Sequence, residues 1–194
     1  DYIHQTGTDA LKGSDILSTA PDKYTSSVVY STTAIGQYMK NIAQTHLAGF
    51  GTRVLYTTSP YNGFDSPANQ AQANAGLLTD VSNTVDTFMT DLRENDASDN
   101  VTLLLFSEFG RRVTDNGSGT DHGAAGVAFA VGEHVKGGVY GTYPSLAPAD
   151  QEQGGNLKFN LDFRSVYSTI LEDWFQLDAE PIVGGNFERV KFLA

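Results

Sequence analysis

The chain of 194 residues contains no cysteine. This absence excludes disulfides, thiolate metal ligands and a cysteine nucleophile. The chain also lacks an apolar run near the roughly 18 residues that a membrane span requires, so no membrane insertion is expected. Basic residues are scarce, with 12 Lys and Arg against 23 Asp and Glu and a net charge of -11. Such a charge disfavours binding to nucleic acid or to an anionic membrane surface.

The composition that remains is that of a globular protein, with 40% hydrophobic and 18% charged residues. A single domain over residues 1–194 is the expectation for this length. Apolar periodicity and β-branched or apolar runs predict helices at 26–47, 77–92 and 163–174 and strands at 52–58, 101–106 and 126–132. Asp162 can cap the last of these helices. Residues 1–24 are polar and predict at most a short helix. Alternation of helix and strand is typical of an α/β fold with a mostly parallel sheet.

Polar side chains of several chemical types follow the apolar segment 101–106. They are Glu108, Arg111, Arg112, Asp121 and His122. An apolar run without charge suits a parallel strand that is buried on both faces. These side chains would then lie beyond the carboxyl end of that strand, where open α/β sheets bind their ligands. The segment therefore predicts the functional site.

Asp121 and His122 are adjacent and carry the oxygen and nitrogen donors that divalent metals bind. In an extended segment their side chains would point to opposite sides, whereas in a turn they can converge on one ion or bridge two. The flanking Gly119 and Gly123 allow a sharp turn. The alternative is an ordinary surface loop, since loops favour these residue types.

Glu108 is suited to a metal ligand or a general base, and Arg111 and Arg112 can bind a tetrahedral oxyanion through their planar guanidinium groups. The alternative is a Glu-Arg ion pair that ties the loop to the sheet. Asp65 follows the predicted strand 52–58, so it is expected at the same sheet edge as Glu108. Its alternative role is a hydrogen bond within its own turn.

Five segments in fixed order resemble a known family. They are GFDSPANQ, SEFGRRV, NGSGTDHG, VKGGVYG and LDFRSVYSTILEDW. The chain resembles the bacterial family of domain of unknown function 1501, which is related to the alkaline phosphatase and sulfatase superfamily. The resemblance implies a three-layer sandwich with helices on both faces of the sheet. It also implies that this chain is the carboxyl-terminal half of a larger exported protein, periplasmic or extracellular.

The resemblance further implies that Asp121 and His122 hold one of two divalent metal ions, whether zinc, manganese, calcium or magnesium. Asp65 maps onto a GFDTH-type motif, although Ser66 and Pro67 stand where Thr and His are usual. The superfamily nucleophile, at an early strand-to-helix junction, has no counterpart that we can identify in this chain.

Two functions are therefore expected as alternatives. The first is a metal-dependent hydrolase of phosphate or sulfate esters, in which Asp65, Asp121 and His122 hold metal, Glu108 ligates or acts as base, and Arg111 clamps a small anionic ester. The second is a non-catalytic exported binding or assembly module that keeps a vestigial hydrolase scaffold. The altered Asp65 motif and the missing nucleophile favour the second.

Overall fold

A computed structural model describes residues 2–59 and 63–194. The chain divides into two compact units, Asp1–Ser66 with Ala71–Asn100 and Pro67–Gln70 with Val101–Ala194. Helices account for 44% of the structure and strands for 11%. This division into compact units does not decide the prediction of a single domain over residues 1–194, which stays a prediction.

The first unit is helical. Its helices are α1 (Tyr2–Lys23), α2 (Ala34–Leu47) and α3 (Gln70–Glu94), with Gln70 itself assigned to the second unit. Helix α2 begins where the Thr33 hydroxyl accepts a hydrogen bond from the Gly36 amide at 3.3 Å, as an N-cap does. Buried apolar residues of this unit include Met39 and Ala43 of α2 and Phe88, Met89 and Leu92 of α3.

Helix α1 is longer than the sequence predicted. It spans 22 residues although it contains Gly7, Gly13 and Pro21. A glycine inside a helix costs only about 1 kcal/mol relative to alanine, so two of them weaken a helix without breaking it. Pro21 lies in the last turn.

Asp91 of α3 is completely buried, although it falls off the apolar stripe of that helix. Its carboxylate accepts hydrogen bonds from the Tyr24 hydroxyl at 2.5 Å, the Tyr30 hydroxyl at 2.8 Å and the Asn95 amide at 3.2 Å. Buried polar groups persist when they are hydrogen-bonded in this way. Asp91 therefore links α3 to the segment between α1 and α2.

The second unit contains four short strands in two antiparallel pairs. Strand β1 (Leu103–Leu105) pairs with β4 (Phe129–Val131), and β2 (Gly110–Asp115) pairs with β3 (Thr120–Gly123). The prediction of a three-layer sandwich around a mostly parallel sheet is wrong, because both sheets are small and antiparallel.

The reason for this error lies in two segments. Residues 52–58, predicted as a strand, are irregular, and residues 101–105 are half-buried rather than enclosed on both faces. Parallel strands need a crossover connection, usually a helix. Between β1 and β4 the chain forms the β2–β3 hairpin instead, and β4 returns antiparallel to β1.

Helix α4 (Phe163–Thr169) begins at Asp162, whose carboxylate accepts a hydrogen bond from the Arg164 amide at 2.9 Å, so the predicted cap is confirmed. A π-helical turn (Ile170–Trp174) and α5 (Glu180–Val183) follow. The core of the unit is formed by Val190, Phe192 and Leu193, against which Val166, Ile170 and Trp174 pack.

Thr169 connects α4 to this core. Its side chain is fully buried, donates a hydrogen bond to the Ser165 carbonyl at 2.8 Å and accepts one from the Val190 amide at 2.7 Å. One hydroxyl therefore satisfies two buried backbone groups.

Candidate functional site

The predicted site residues Arg111, Arg112, Asp121 and His122 all lie on the β2–β3 hairpin. Arg111 is the cross-strand partner of His122, and Gly110 is the partner of Gly123. A Cβ atom on Gly110 would lie 1.6 Å from the Ala125 carbonyl oxygen. The close approach of these backbones therefore requires glycine, and it fixes the register in which Arg111 and His122 face each other.

The turn of the hairpin is held by side-chain and backbone hydrogen bonds. The Asn116 amide nitrogen donates to the Asp121 carboxylate at 2.9 Å and to the Pro67 carbonyl at 3.1 Å. The Asn69 backbone amide donates to the Ser118 carbonyl at 2.8 Å, and the Thr120 hydroxyl donates to Gln70 at 2.9 Å. The hairpin therefore binds the segment Pro67–Gln70 within the second unit.

Asp121 and His122 do not converge. Both residues lie in strand β3 and are exposed, and successive side chains of a strand point to opposite faces. Their contacts agree with this: the Asp121 carboxylate binds Asn116 of the turn, whereas the His122 ring stacks on Phe109. The extended alternative is the one that the structure shows, and the two side chains are not placed to share an ion.

Phe109, Arg111 and His122 form what we call the stacked face. The rings of Phe109 and His122 are parallel within 7°, with centroids 3.8 Å apart. The guanidinium carbon of Arg111 lies 5.0 Å from the centroid of the Phe109 ring, within cation–π distance. Its Nη1 donates to the Thr120 carbonyl at 2.8 Å. A guanidinium and an imidazole are thus held on one aromatic ring.

Arg112 is the next residue along β2, so strand geometry turns its side chain to the other face. Its Nε donates to the His122 carbonyl at 3.0 Å, and its Nη1 lies beside Gly154, where a Cβ would be 2.9 Å away. Gly154 and Gly155 both have positive φ, and the Gly155 carbonyl accepts from the Val113 amide at 3.0 Å. The two guanidinium groups are therefore held by different partners.

The remaining predicted residues, Glu108 and Asp65, lie outside strands β2 and β3. Glu108 is exposed and precedes β2. Asp65 is exposed and belongs to the first unit, whereas Asp121 and His122 belong to the second.

Within residues 2–59 and 63–194, no group of three or more His, Asp or Glu side chains is placed to hold a metal ion. The predicted ligands do not fit a shared metal in this arrangement, because Asp121 and His122 diverge. The identity of any metal stays a prediction.

Sequence reasoning missed Phe109 and Asn116. The signal for Phe109 was its position two residues before Arg111 in an extended segment, which places both on one face. The signal for Asn116 was the dipeptide Asn116-Gly117, a strong mark of a hairpin turn.

Residues 8–184 match the model of a family described as Protein of unknown function (DUF1501), and the chain belongs to this family. No curated protein and no solved structure matches the chain. Among the described residues, no helix combines the length and apolar character that crossing a bilayer demands.

Proposed function

We propose that this chain is a non-catalytic binding module that holds a small anionic ligand, such as a phosphate or sulfate ester, on the stacked face. The observation that carries the proposal is the placement of Arg111 and His122 on the Phe109 ring. Side chains that are already ordered lose less conformational freedom on binding, so the entropic cost of binding is smaller.

The chemistry of the stacked face supports an anionic ligand. The Arg111 guanidinium carries a fixed positive charge and planar N–H donors that match carboxylate, phosphate and sulfate oxygens. The imidazole of His122 adds a further donor or acceptor beside it. His122 is exposed and Arg111 is half-exposed, so a ligand can reach both.

The test is titration of the chain with 4-nitrophenyl phosphate and 4-nitrophenyl sulfate, followed by calorimetry and by NMR of the hairpin amides. We expect Arg111→Ala to weaken binding about tenfold or more, since a charge-assisted hydrogen bond contributes roughly 1.5 to 3 kcal/mol. Lys158→Ala is the matched control, because Lys158 is exposed in the same unit and its loss changes the net charge equally. Equal weakening by both variants would show that net charge alone causes the loss of binding, which would overturn the proposal.

A metal-dependent ester hydrolase is the second candidate. The exposure of Asp121 and His122 leaves both reachable by a substrate, but their divergence from strand β3 does not provide the shared ion site that this candidate needs, so it is the weaker of the two. Assays with 4-nitrophenyl phosphate and 4-nitrophenyl sulfate also distinguish the two candidate functions. Release of 4-nitrophenol that a chelator abolishes, and that Asp121→Ala removes, would support the hydrolase and reject the non-catalytic module.

Membership of the alkaline phosphatase and sulfatase superfamily and export from the cell are parts of the same proposal. Cell fractionation of the native organism with an antibody to this chain tests export. Recovery of the chain in the cytosolic fraction alone would contradict it.

A further inference from the structure

The turn of the β2–β3 hairpin contains an asparagine followed by glycine, Asn116-Gly117. Gly117 has a φ of +100°, and no heavy atom lies within 4 Å of the position where a Cβ would stand. The backbone nitrogen of a glycine in this position is open to approach, because no side chain shields it. Asn116 is exposed to solvent.

The groups around this dipeptide include a base and hydrogen-bond donors of the kinds that acyl transfer uses. The Gly117 N–H donates to the Asp115 carboxylate at 2.5 Å, so a base lies on the nitrogen that would attack. The Asn116 side-chain oxygen accepts from the Ser118 amide at 3.2 Å and from the Gly119 amide at 3.0 Å. Two backbone donors therefore face the oxygen on which negative charge would develop.

We propose that Asn116 is a site of self-catalysed deamidation. The Gly117 proton moves to Asp115 as the nitrogen bonds to Cγ of Asn116. The tetrahedral oxyanion is held by the Ser118 and Gly119 amides. When it collapses, the bond from Cγ to Nδ2 breaks, and Nδ2 takes a proton from Asp115 and leaves as ammonia. Water then opens the succinimide to aspartate or isoaspartate, so one water is consumed, one ammonia is released and nothing is oxidised or reduced.

The product changes the contacts of the hairpin. Nδ2 of Asn116 donates to Asp121 at 2.9 Å and to the Pro67 carbonyl at 3.1 Å. Deamidation replaces this donor by a carboxylate oxygen, which faces the carboxylate of Asp121 and an accepting carbonyl. Like charges at this distance repel, so the link between the turn and Pro67 is lost. The reaction is therefore a one-way change that removes the Asn116 contact with Pro67, while the hydrogen bonds of Asn69 and Gln70 to the hairpin remain.

The experiment follows the conversion of Asn116 in the intact chain at neutral pH by peptide mass spectrometry, with isoaspartate resolved by chromatography. The same chain in concentrated urea supplies the rate without the folded contacts, and Asn62-Gly63 supplies a second Asn-Gly dipeptide for comparison. We expect Asn116 to react faster in the folded chain than in urea. Asp115→Asn should slow the folded reaction about tenfold or more, since a positioned base typically contributes more than that.

A rate at Asn116 that is equal or lower in the folded chain than in urea would overturn the proposal, because the contacts would then protect the amide. This comparison uses the unaltered chain and does not depend on whether a variant folds. Circular dichroism of Asp115→Asn checks that its slower reaction is not a consequence of unfolding. An unchanged rate in a folded Asp115→Asn would equally contradict the assignment of the base.

Discussion

The imidazole of His122 lies parallel to the ring of Phe109 across the β2–β3 hairpin, with centroids 3.8 Å apart. His122 is contributed by β3, and Phe109 immediately precedes β2. The stack therefore joins the two strands by their side chains as well as by their backbones. His122, which was expected to ligate a metal, is part of this aromatic contact.

Replacement of Phe109 by leucine should weaken the hairpin. Loss of an aromatic pair costs about 0.5 to 1.5 kcal/mol beyond the area buried. The free energy of unfolding of Phe109→Leu, His122→Ala and the double variant, measured in urea, gives the coupling between the two rings. Additive effects of the single variants would show that the stack contributes nothing to stability.

Tyr30→Phe should destabilise the first unit more than Tyr24→Phe. Tyr30 is buried, whereas Tyr24 is half-buried, and both donate to the carboxylate of Asp91, which has no exposed surface. A hydrogen bond to a buried charged group contributes about 1.5 to 3 kcal/mol, so we expect a loss in this range for Tyr30→Phe. Urea unfolding monitored by circular dichroism measures it. A smaller effect for Tyr30→Phe than for Tyr24→Phe would contradict the importance of burial here.

The same cluster predicts loss of stability at alkaline pH. Burial, followed by the hydrogen bond to Asp91, raises the pKa of Tyr24 from 10.0 to about 12, and the same causes raise the pKa of Tyr30. A raised pKa favours the protonated phenol in the folded state. The resulting stability is complete below pH 10.0 and is lost as the pH rises through about 12. Tyr24→Phe should flatten the fall of the unfolding free energy in this range, and an unchanged slope would argue against it.

The lowered pKa of Asp162 predicts a loss of stability at acid pH, opposite in direction to the loss at alkaline pH. Its hydrogen bonds with the Arg164 side chain and backbone lower the pKa of its carboxyl from 3.8 to about 2. A lowered pKa favours the carboxylate in the folded state, so this stability is present above pH 3.8 and is lost as the pH falls through about 2. Asp162→Asn should remove this dependence of the unfolding free energy on pH. Asp86→Asn, an exposed position of α3 with the same change of charge, should leave it in place.

Two glycine substitutions should act in opposite directions. Gly110→Ala places a Cβ 1.6 Å from the Ala125 carbonyl oxygen, so the hairpin cannot keep its register. Gly76→Ala in α3 meets no atom within 4 Å and should stabilise the helix by about 0.5 to 1 kcal/mol. Thermal unfolding of both variants checks this. A Gly110→Ala variant as stable as the unaltered chain would show that β2 and the Ala125 backbone are not in close contact.

Local sequence signals predicted several elements correctly. The apolar periodicity of Phe88, Met89 and Leu92 identified the buried face of α3, and Asp162 identified the start of α4. These signals depend on residues within a few positions of one another, so they can be read along the chain.

The strand pairing and the arrangement of the site could not be predicted from such local signals. Strand pairing depends on what lies between two strands, and the segment between β1 and β4 forms a hairpin where the fold prediction needs a helix. Burial of Asp91 depends on tyrosines more than 60 positions away, with sequence separations of 67 and 61. The direction of His122 depends on whether its segment is extended or turned, and the sequence left both possible.

The double role of the Thr169 hydroxyl has a consequence for exchange with solvent deuterium. The Val190 amide proton is sequestered by a side chain rather than by a ladder or helix, so its protection depends on one oxygen atom. Thr169→Val keeps the shape of the side chain but replaces its hydroxyl by a methyl group, which cannot accept a hydrogen bond. The Val190 amide would then take up deuterium early, while amides at the centre of α3 keep their slow exchange.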